Sequence, residues 1–301
     1  MRNAFVKVLE EEAEKNKDIV LLTGDLGFSV FESFQKKFPN RFFNCGVAEQ
    51  NMMGVAAGLS LLGKTVFVYS IIPFVTFRCL EQIRNDVCYH DLKVIIVGVG
   101  SGLSYGALGF SHHANEDIGC LKSIPNLTIL SPSDPNEVSA FVKESNSYNH
   151  PIYLRLGKNN ERKFNVSSEI KIGKVYPIIR GNDAALITHG NIIEEVMEAS
   201  DMLKKEGISI SVISSPTIKP INPKNFEPIF KEHKKVFVIE EHNSIGGLGD
   251  SIASLNLGET VKIAIKDQFI YGAGDNKYLR TKEGLDSVSL FKKIMETLKE
   301  K

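Results

Sequence analysis

The sequence carries no excess of charge of either sign: 36 basic residues balance 36 acidic ones over 301 positions. No basic field gathers nucleic acid or anionic lipid, so neither is expected as a partner. Cysteine is scarce and shows no pairing pattern. Cys45, Cys79, Cys88 and Cys120 form no CxxC pair and no secreted-type framework, so they read as reduced thiols. Long apolar runs are missing too. "KVIIVGVG" is among the longest and falls far short of the roughly 20 residues that span a bilayer. The opening "MRNAFVKVLEEEAEKNKD" interleaves acidic and basic residues and lacks the apolar centre of a signal peptide. These absences lead to the expectation of a soluble, cytoplasmic protein.

What the chain does contain is regular alternation. "IVLLTGDL" (19–26) is a nearly continuous apolar, β-branched run, as in a strand buried on both faces. Helical and strand patterns then follow one another: "SVFESFQKKF", "RFFNCG", a helix from Glu49 to Leu62, "TVFVYSII", "FVTFRCLEQIRNDVCYH" and "KVIIVGVG". After a Gly-rich loop come "LTILSPS", "PNEVSAFVKESN" and "PIYLRLG". The polar stretch 158–174 reads as a linker, and beyond it a second set opens with "DAALITHG" and closes with the amphipathic "SVSLFKKIMETLKE". The alternation predicts an α/β protein of two doubly wound domains, residues 1–165 and 166–301, each on a parallel sheet. A composition that is 43% hydrophobic supplies enough apolar material for two cores.

Chemistry is sought first at Glu49, in "FFNCGVAEQNMMGVAAGLSLLG". Position alone allows a carboxylate that merely complements a helix N-terminus. The helix it opens, however, is apolar on nearly every side through Met52, Met53, Val55, Ala56, Ala57 and Leu59. A carboxylate at the mouth of such a helix is expected to lie inside the protein, where it needs a partner or a ligand. His112 and His113 follow a strand end in "GALGFSHHANED", where ligands gather in open parallel sheets. No third ligand stands at a metal-binding spacing from them, so no metal site is expected on this chain.

The segment "GVAEQNMMGVAAGLSLLGKTVFVYSIIPFVTFRCLEQIRND" resembles the pyrimidine-binding domain of transketolases and related thiamine diphosphate enzymes. The likeness continues through "GFSHHANEDIGCLKSIPNLTILSPSDPNEV" and, in the second half, through "IKPINP" and "EEHNSIGGLGD". It covers essentially the whole chain. The resemblance implies that Glu49 contacts N1′ of the cofactor's aminopyrimidine and shares a proton with it. It implies aromatic residues against the pyrimidine at three-residue spacing, which Phe74 and Phe77 reproduce; aligning on "EQIR" instead puts Ile72, Val75 and Arg78 there. His112 matches the histidine that bonds the sugar, with His113 in the place of a neighbouring glutamine. Arg2, Ser29 and Arg155 match a phosphate clamp, whose guanidinium and hydroxyl groups suit a dianion. Leu108 stands where sugar-handling members often carry an aspartate.

The family's diphosphate site uses a Gly-Asp-Gly motif with trailing asparagines, and "GDLG", "GLGD" and "GAGD" do not reproduce it. The resemblance therefore implies a split enzyme. A separate N-terminal subunit would supply the diphosphate site and a Mg2+ or Ca2+ ion, with two copies of each chain associating through the pyrimidine domain. The implied reaction moves a two-carbon ketol unit between sugar phosphates. The beta subunit of a 2-oxo acid dehydrogenase, a 1-deoxyxylulose-5-phosphate synthase-like enzyme and a catalytically silent partner are the alternatives. "SIGGLGDSIASLN" lacks the GxGxxG context of a nucleotide cradle and reads as structural.

Overall fold

Continuous apolar runs become the central strands of two sheets in a computed structural model that describes residues 1–27, 30–158, 161–165, 167 and 169–300. The first half supplies β1 (Ile19–Thr23), β2 (Phe42–Asn44), β3 (Thr65–Ile71), β4 (Val94–Val99), β5 (Thr128–Leu130) and β6 (Ile152–Leu156). The second supplies β7 (Tyr176–Ile179), β8 (Ala184–Thr188), β9 (Ile210–Ser214), β10 (Thr217–Lys219), β11 (Val236–Asn243) and β12 (Thr260–Ile265). Strands β1, β3, β4 and β6 are buried along their whole length. The two-residue side-chain period explains why: Val20, Leu22, Val66, Val68, Val94 and Ile96 face helix Glu49–Leu61 through Met52, Met53 and Ala56. Their neighbours Ile19, Leu21, Phe67, Ile95 and Val97 face the other way, onto Phe5, Leu9 and Ala13 of helix Arg2–Lys15.

The first sheet runs β10-β5-β6-β4-β3-β1-β2 and the second β12-β11-β8-β9-β7. In the first, the chain leaves β1 to one side for β2 and returns on the other side as β3, with all three parallel. That reversal opens a crevice beyond the carboxyl ends of β1 and β3, where ligands bind in such sheets. The second sheet reverses in the same way between β8 and β11.

Two details differ from the sequence reading. Neither sheet is purely parallel: β10 from the second half pairs antiparallel with β5 of the first, and β7 pairs antiparallel with β9. The segment expected to form one helix after β3 is also broken. Helix Ile72–Val75 stops at Thr76, whose hydroxyl back-bonds to the Ile72 carbonyl at 2.6 Å and competes with the helical ladder. Helical turns resume only at Leu80–Gln82 and continue as a π-helix over Ile83–Cys88.

The linker is tacked down at Phe164 and Asn165. Asp134 accepts from the N–H groups of Phe164 and Asn165 at 2.7 and 2.6 Å, and Glu137 accepts from the Asn165 side chain. Among the described residues no helix is long and apolar enough to cross a membrane.

Candidate active site

Glu49 opens its helix at the crevice between β1 and β3. No side chain caps that helix start, so the carboxylate is not there to satisfy orphan N–H groups of its own helix. It is 3% exposed. A buried carboxylate without a partner costs several kcal/mol, and here the partner is Arg78, whose Nη1 donates to Oε2 at 2.9 Å. Arg78 itself is half in solvent, with 45% of its side chain exposed. On the other side of the carboxylate lies Gly24, just past β1. A Cβ at Gly24 would come within 3.3 Å of Oε1, so glycine keeps that approach open.

The break at Thr76–Cys79 turns Arg78 back over the preceding turn. Its guanidinium carbon lies 4.1 Å from the centroid of the Phe74 ring, a close cation–π contact. Phe74 in turn meets the edge of His112, centroids 5.1 Å apart, and Tyr105 stands 6.1 Å from the same imidazole. Burial and the positive charge of Arg78 together hold His112 below the ordinary histidine pKa. Beside Glu49, the Cys79 thiol is pushed up to about 12, first by burial and then by that carboxylate, so it is inert as a nucleophile.

His113 is 4% exposed; its ring nitrogens have no partner at close hydrogen-bond geometry, only the nearby Gly106 backbone, and Asn115 Oδ1 has none either. Both residues line a cleft of about 200 Å³ with Ser111, Glu116, Pro73 and Phe77. Burial lowers the His113 pKa, against the raising pull of the Gly106 backbone and Glu241. Unsatisfied polar groups buried beside a cleft mark a place where a hydroxylated ligand or a water can bond. Of the two aromatic residues at three-residue spacing, Phe74 joins Glu49, Arg78 and His112, whereas Phe77 lines the adjacent cleft. In the other register, Ile72 and Val75 are core residues and only Arg78 reaches Glu49.

Of the expected phosphate clamp, Arg155 is turned away from the crevice. Arg155 is 1% exposed and points inside the protein. Its Nε donates to Asp117 at 2.8 Å, and its Nη2 to the carbonyls of Ala114 and Glu241 at 2.7 and 3.3 Å. Through these bonds it ties the His112–Asp117 loop to the second half. Ser29 lies outside the described residues. Arg2 is partly buried, and its Nε finds no hydrogen-bond partner. Its charge reaches the hydroxyls of Tyr69 and Tyr105, both of which burial drives upward. Sequence reasoning missed Lys158, whose ammonium sits 4.2 Å from the Tyr105 ring centroid. The available signal was a third basic residue just beyond β6, next to Gly157. Leu108 is exposed, as expected of a loop position.

The glycine-rich turn before helix Leu248–Ala253 binds a carboxylate of its own chain. Glu240 accepts from the N–H groups of Leu248 and Gly249 at 2.7 and 2.9 Å and faces His189 Nε2 at 3.4 Å. Burial raises its pKa. The hydrogen bond from His189, the charges of His242 and His189 and the Gly249 N–H overcome that and hold the carboxyl at about 2. The second crevice, at β8 and β11, is thus filled: His189 Nδ1 reaches Ser131 of the first half at 2.9 Å. Among the described residues no three His, Cys, Asp or Glu side chains converge to hold a metal ion.

A dry carboxylate at a switch point, an aromatic ring beside it and unsatisfied polar groups next to the adjoining cleft make this crevice of the α/β fold the candidate site. Comparison with known proteins gives the family. Residues 1–163 match the transketolase pyrimidine binding domain, and residues 173–268 match the transketolase C-terminal domain. One of the subunits of an apulose-4-phosphate transketolase from Actinobacillus succinogenes is 33% identical, over 96% of this chain and 96% of the relative. A 6-deoxy-6-sulfo-D-fructose transketolase subunit of a Clostridium species is 30% identical over 100% and 95%. A solved structure, described as a split gene transketolase in an inactive beta4 tetramer, superposes with a TM-score of 0.90 at 33% identity, covering 99% and 97% of the two chains. The chain belongs to the transketolase family, as a transketolase-type C-terminal subunit.

Proposed function

We propose that this chain transfers a two-carbon ketol unit between sugar phosphates once joined to an N-terminal subunit, with thiamine diphosphate held between the two. The observation that carries the reading is Glu49, a carboxylate 3% exposed whose partner is a half-exposed arginine. When bound, thiamine diphosphate supplies a nucleophilic thiazolium carbon and an electron sink. Its aminopyrimidine fits what this chain offers: the open approach over Gly24, the Phe74 ring and a carboxylate able to hold a proton at N1′. The low dielectric around Glu49 strengthens that bond and keeps the proton from water.

His112 and His113 bond the hydroxyls of the ketose, His113 through nitrogens that have no protein partner at close hydrogen-bond geometry. Arg2, together with Lys158, answers the sugar's phosphate, while Arg155 holds the histidine loop. The diphosphate contacts and the Mg2+ or Ca2+ ion come from the N-terminal subunit. Two copies of each chain assemble, with the exposed Val55, Leu61 and Leu62 on helix Glu49–Leu61 and its end as part of the contact between copies. Residues 1–165 form the pyrimidine unit and 166–301 the C-terminal unit.

The test combines the purified chain with its partner subunit, thiamine diphosphate and Mg2+, and follows ketol transfer from a ketose phosphate to an aldose phosphate. Turnover confined to a 2-oxo acid such as pyruvate would reassign the chain to a 2-oxo acid dehydrogenase. Glu49→Ala is expected to abolish transfer and leave the fold intact; retained activity would remove Glu49 from the reaction.

A further inference from the structure

We infer that Arg78 is a built-in occupant of the pyrimidine position, closing it in the subunit on its own and leaving when the cofactor arrives. The inference rests on the reading of Glu49 as the pyrimidine's partner. A guanidinium is planar, cationic and rich in N–H donors, the properties a protonated aminopyrimidine presents. Arg78 uses all three as the heterocycle would. It donates to Glu49 Oε2 at 2.9 Å and lies 4.1 Å over Phe74, whose ring also meets His112.

The local backbone allows movement. Arg78 sits in the break between helices Ile72–Val75 and Leu80–Gln82, and its amide reaches the Pro73 carbonyl only at 3.5 Å. With nearly half of its side chain already in water, the guanidinium loses little on swinging out, because exposed ion pairs contribute little net stability. Glu49 is different. Buried as it is, it cannot be left without a donor, so Arg78 leaves only as another donor enters. The exchange keeps the carboxylate satisfied at every stage and makes cofactor binding compete with an internal group. A site closed for most of the time lowers apparent affinity by the fraction closed.

The experiment titrates thiamine into the isolated chain and reads the ring-proton NMR signals of His112. Thiamine lacks the diphosphate, so contacts from a partner subunit do not enter. Arg78→Gln and Arg78→Ala are expected to bind thiamine about tenfold or more tighter than the unsubstituted chain, and Arg78→Lys, which keeps the charge but not the plane, to fall between. Adding Glu49→Gln to Arg78→Gln should abolish the gain. Arg78 variants that are folded by circular dichroism but bind no tighter, or more weakly, overturn the inference. A gain that survives Glu49→Gln overturns the underlying assignment of Glu49 instead.

Discussion

Arg155 and Asp117 form a fully buried ion pair, Nε to Oδ2 at 2.8 Å, with neither side chain more than 1% exposed. Tyr153 donates to the same Oδ2 at 2.6 Å. Tyr153 and Arg155 stand two apart on β6 and so share a face, and Asp117 closes the loop that begins at the histidines. The pair therefore couples a strand end, the histidine loop and, through the Glu241 carbonyl, the second half of the chain.

Removing one partner of such a pair leaves the other charged and dry, at a cost of about 3–5 kcal/mol. Arg155→Ala is expected to lower thermal stability and to reduce transfer from phosphorylated and unphosphorylated donors alike. Chemical denaturation and parallel kinetics on both donors check this. An unchanged melting temperature with KM raised only for the phosphorylated donor would return Arg155 to a phosphate site.

Two buried carboxylates predict opposite limbs of a pH–stability curve. Burial pushes Glu137 up to about 7, against hydrogen bonds from Ser133, Asn165 and Ser214. Its folded pKa lies above the unfolded value, so its contribution is full below about pH 4.5 and declines as pH rises through 7, by on the order of 3 kcal/mol. Glu240 has the reverse shift. Its contribution is present above about pH 4.5 and is lost as pH falls toward 2. Urea unfolding from pH 2 to 8 should show Glu137→Gln flattening the fall in stability between about pH 4.5 and 7, and Glu240→Gln flattening the rise between about pH 2 and 4.5. If either variant leaves its limb unchanged, that carboxylate does not titrate as assigned.

Much of the fold was legible because burial on both faces writes itself as uninterrupted β-branched runs, as in β1, β3 and β4. The burial of Glu49 was legible from the apolar residues that follow it, of which Met52, Met53, Ala56 and Ala57 do face the core while Val55 and Leu61 stay exposed. What stayed hidden depended on distant partners. β10 is three residues long and gains its place only from β5, across the boundary between the halves. Arg155 looked like an anion ligand because its counter-charge, Asp117, is 38 positions away. One clue was present: an arginine among the apolar residues of β6 has to face inward. The helix break at Thr76 follows from one hydroxyl competing with the backbone, which periodicity alone does not register.

The proposed phosphate recognition by Arg2 and Lys158 makes a sharper kinetic prediction than Arg155. Lys158 is bound to the protein through the Tyr105 face, a contact worth about 0.5–1 kcal/mol when exposed, so its loss should barely affect stability. Lys158→Met is expected to raise KM for a ketose phosphate roughly tenfold with kcat nearly unchanged, because a phosphate contact made equally in ground and transition states is uniform binding. Steady-state kinetics at two ionic strengths would show it. An equal loss with a non-phosphorylated ketose would rule the pair out.

Gly24 isolates the geometry around Glu49 from its charge. An alanine there brings Cβ to 3.3 Å from Oε1, closer than comfortable van der Waals contact, so the carboxylate must give way by a few tenths of an ångström. The backbone at Gly24 does not need a positive φ, so the substitution imposes no conformational strain, and the melting temperature should move little. Catalysis is less forgiving, because a misplacement on this scale weakens proton transfer while the acid itself remains. Gly24→Ala is therefore expected to cut kcat by about tenfold or more, and Gly24→Val, with two further methyl groups against the carboxylate, by considerably more. Measuring kcat and thermal melting on the same samples separates the two effects. A valine variant that melts normally and turns over at the full rate would mean that nothing approaches Glu49 from this side, and the pyrimidine would have to be docked elsewhere.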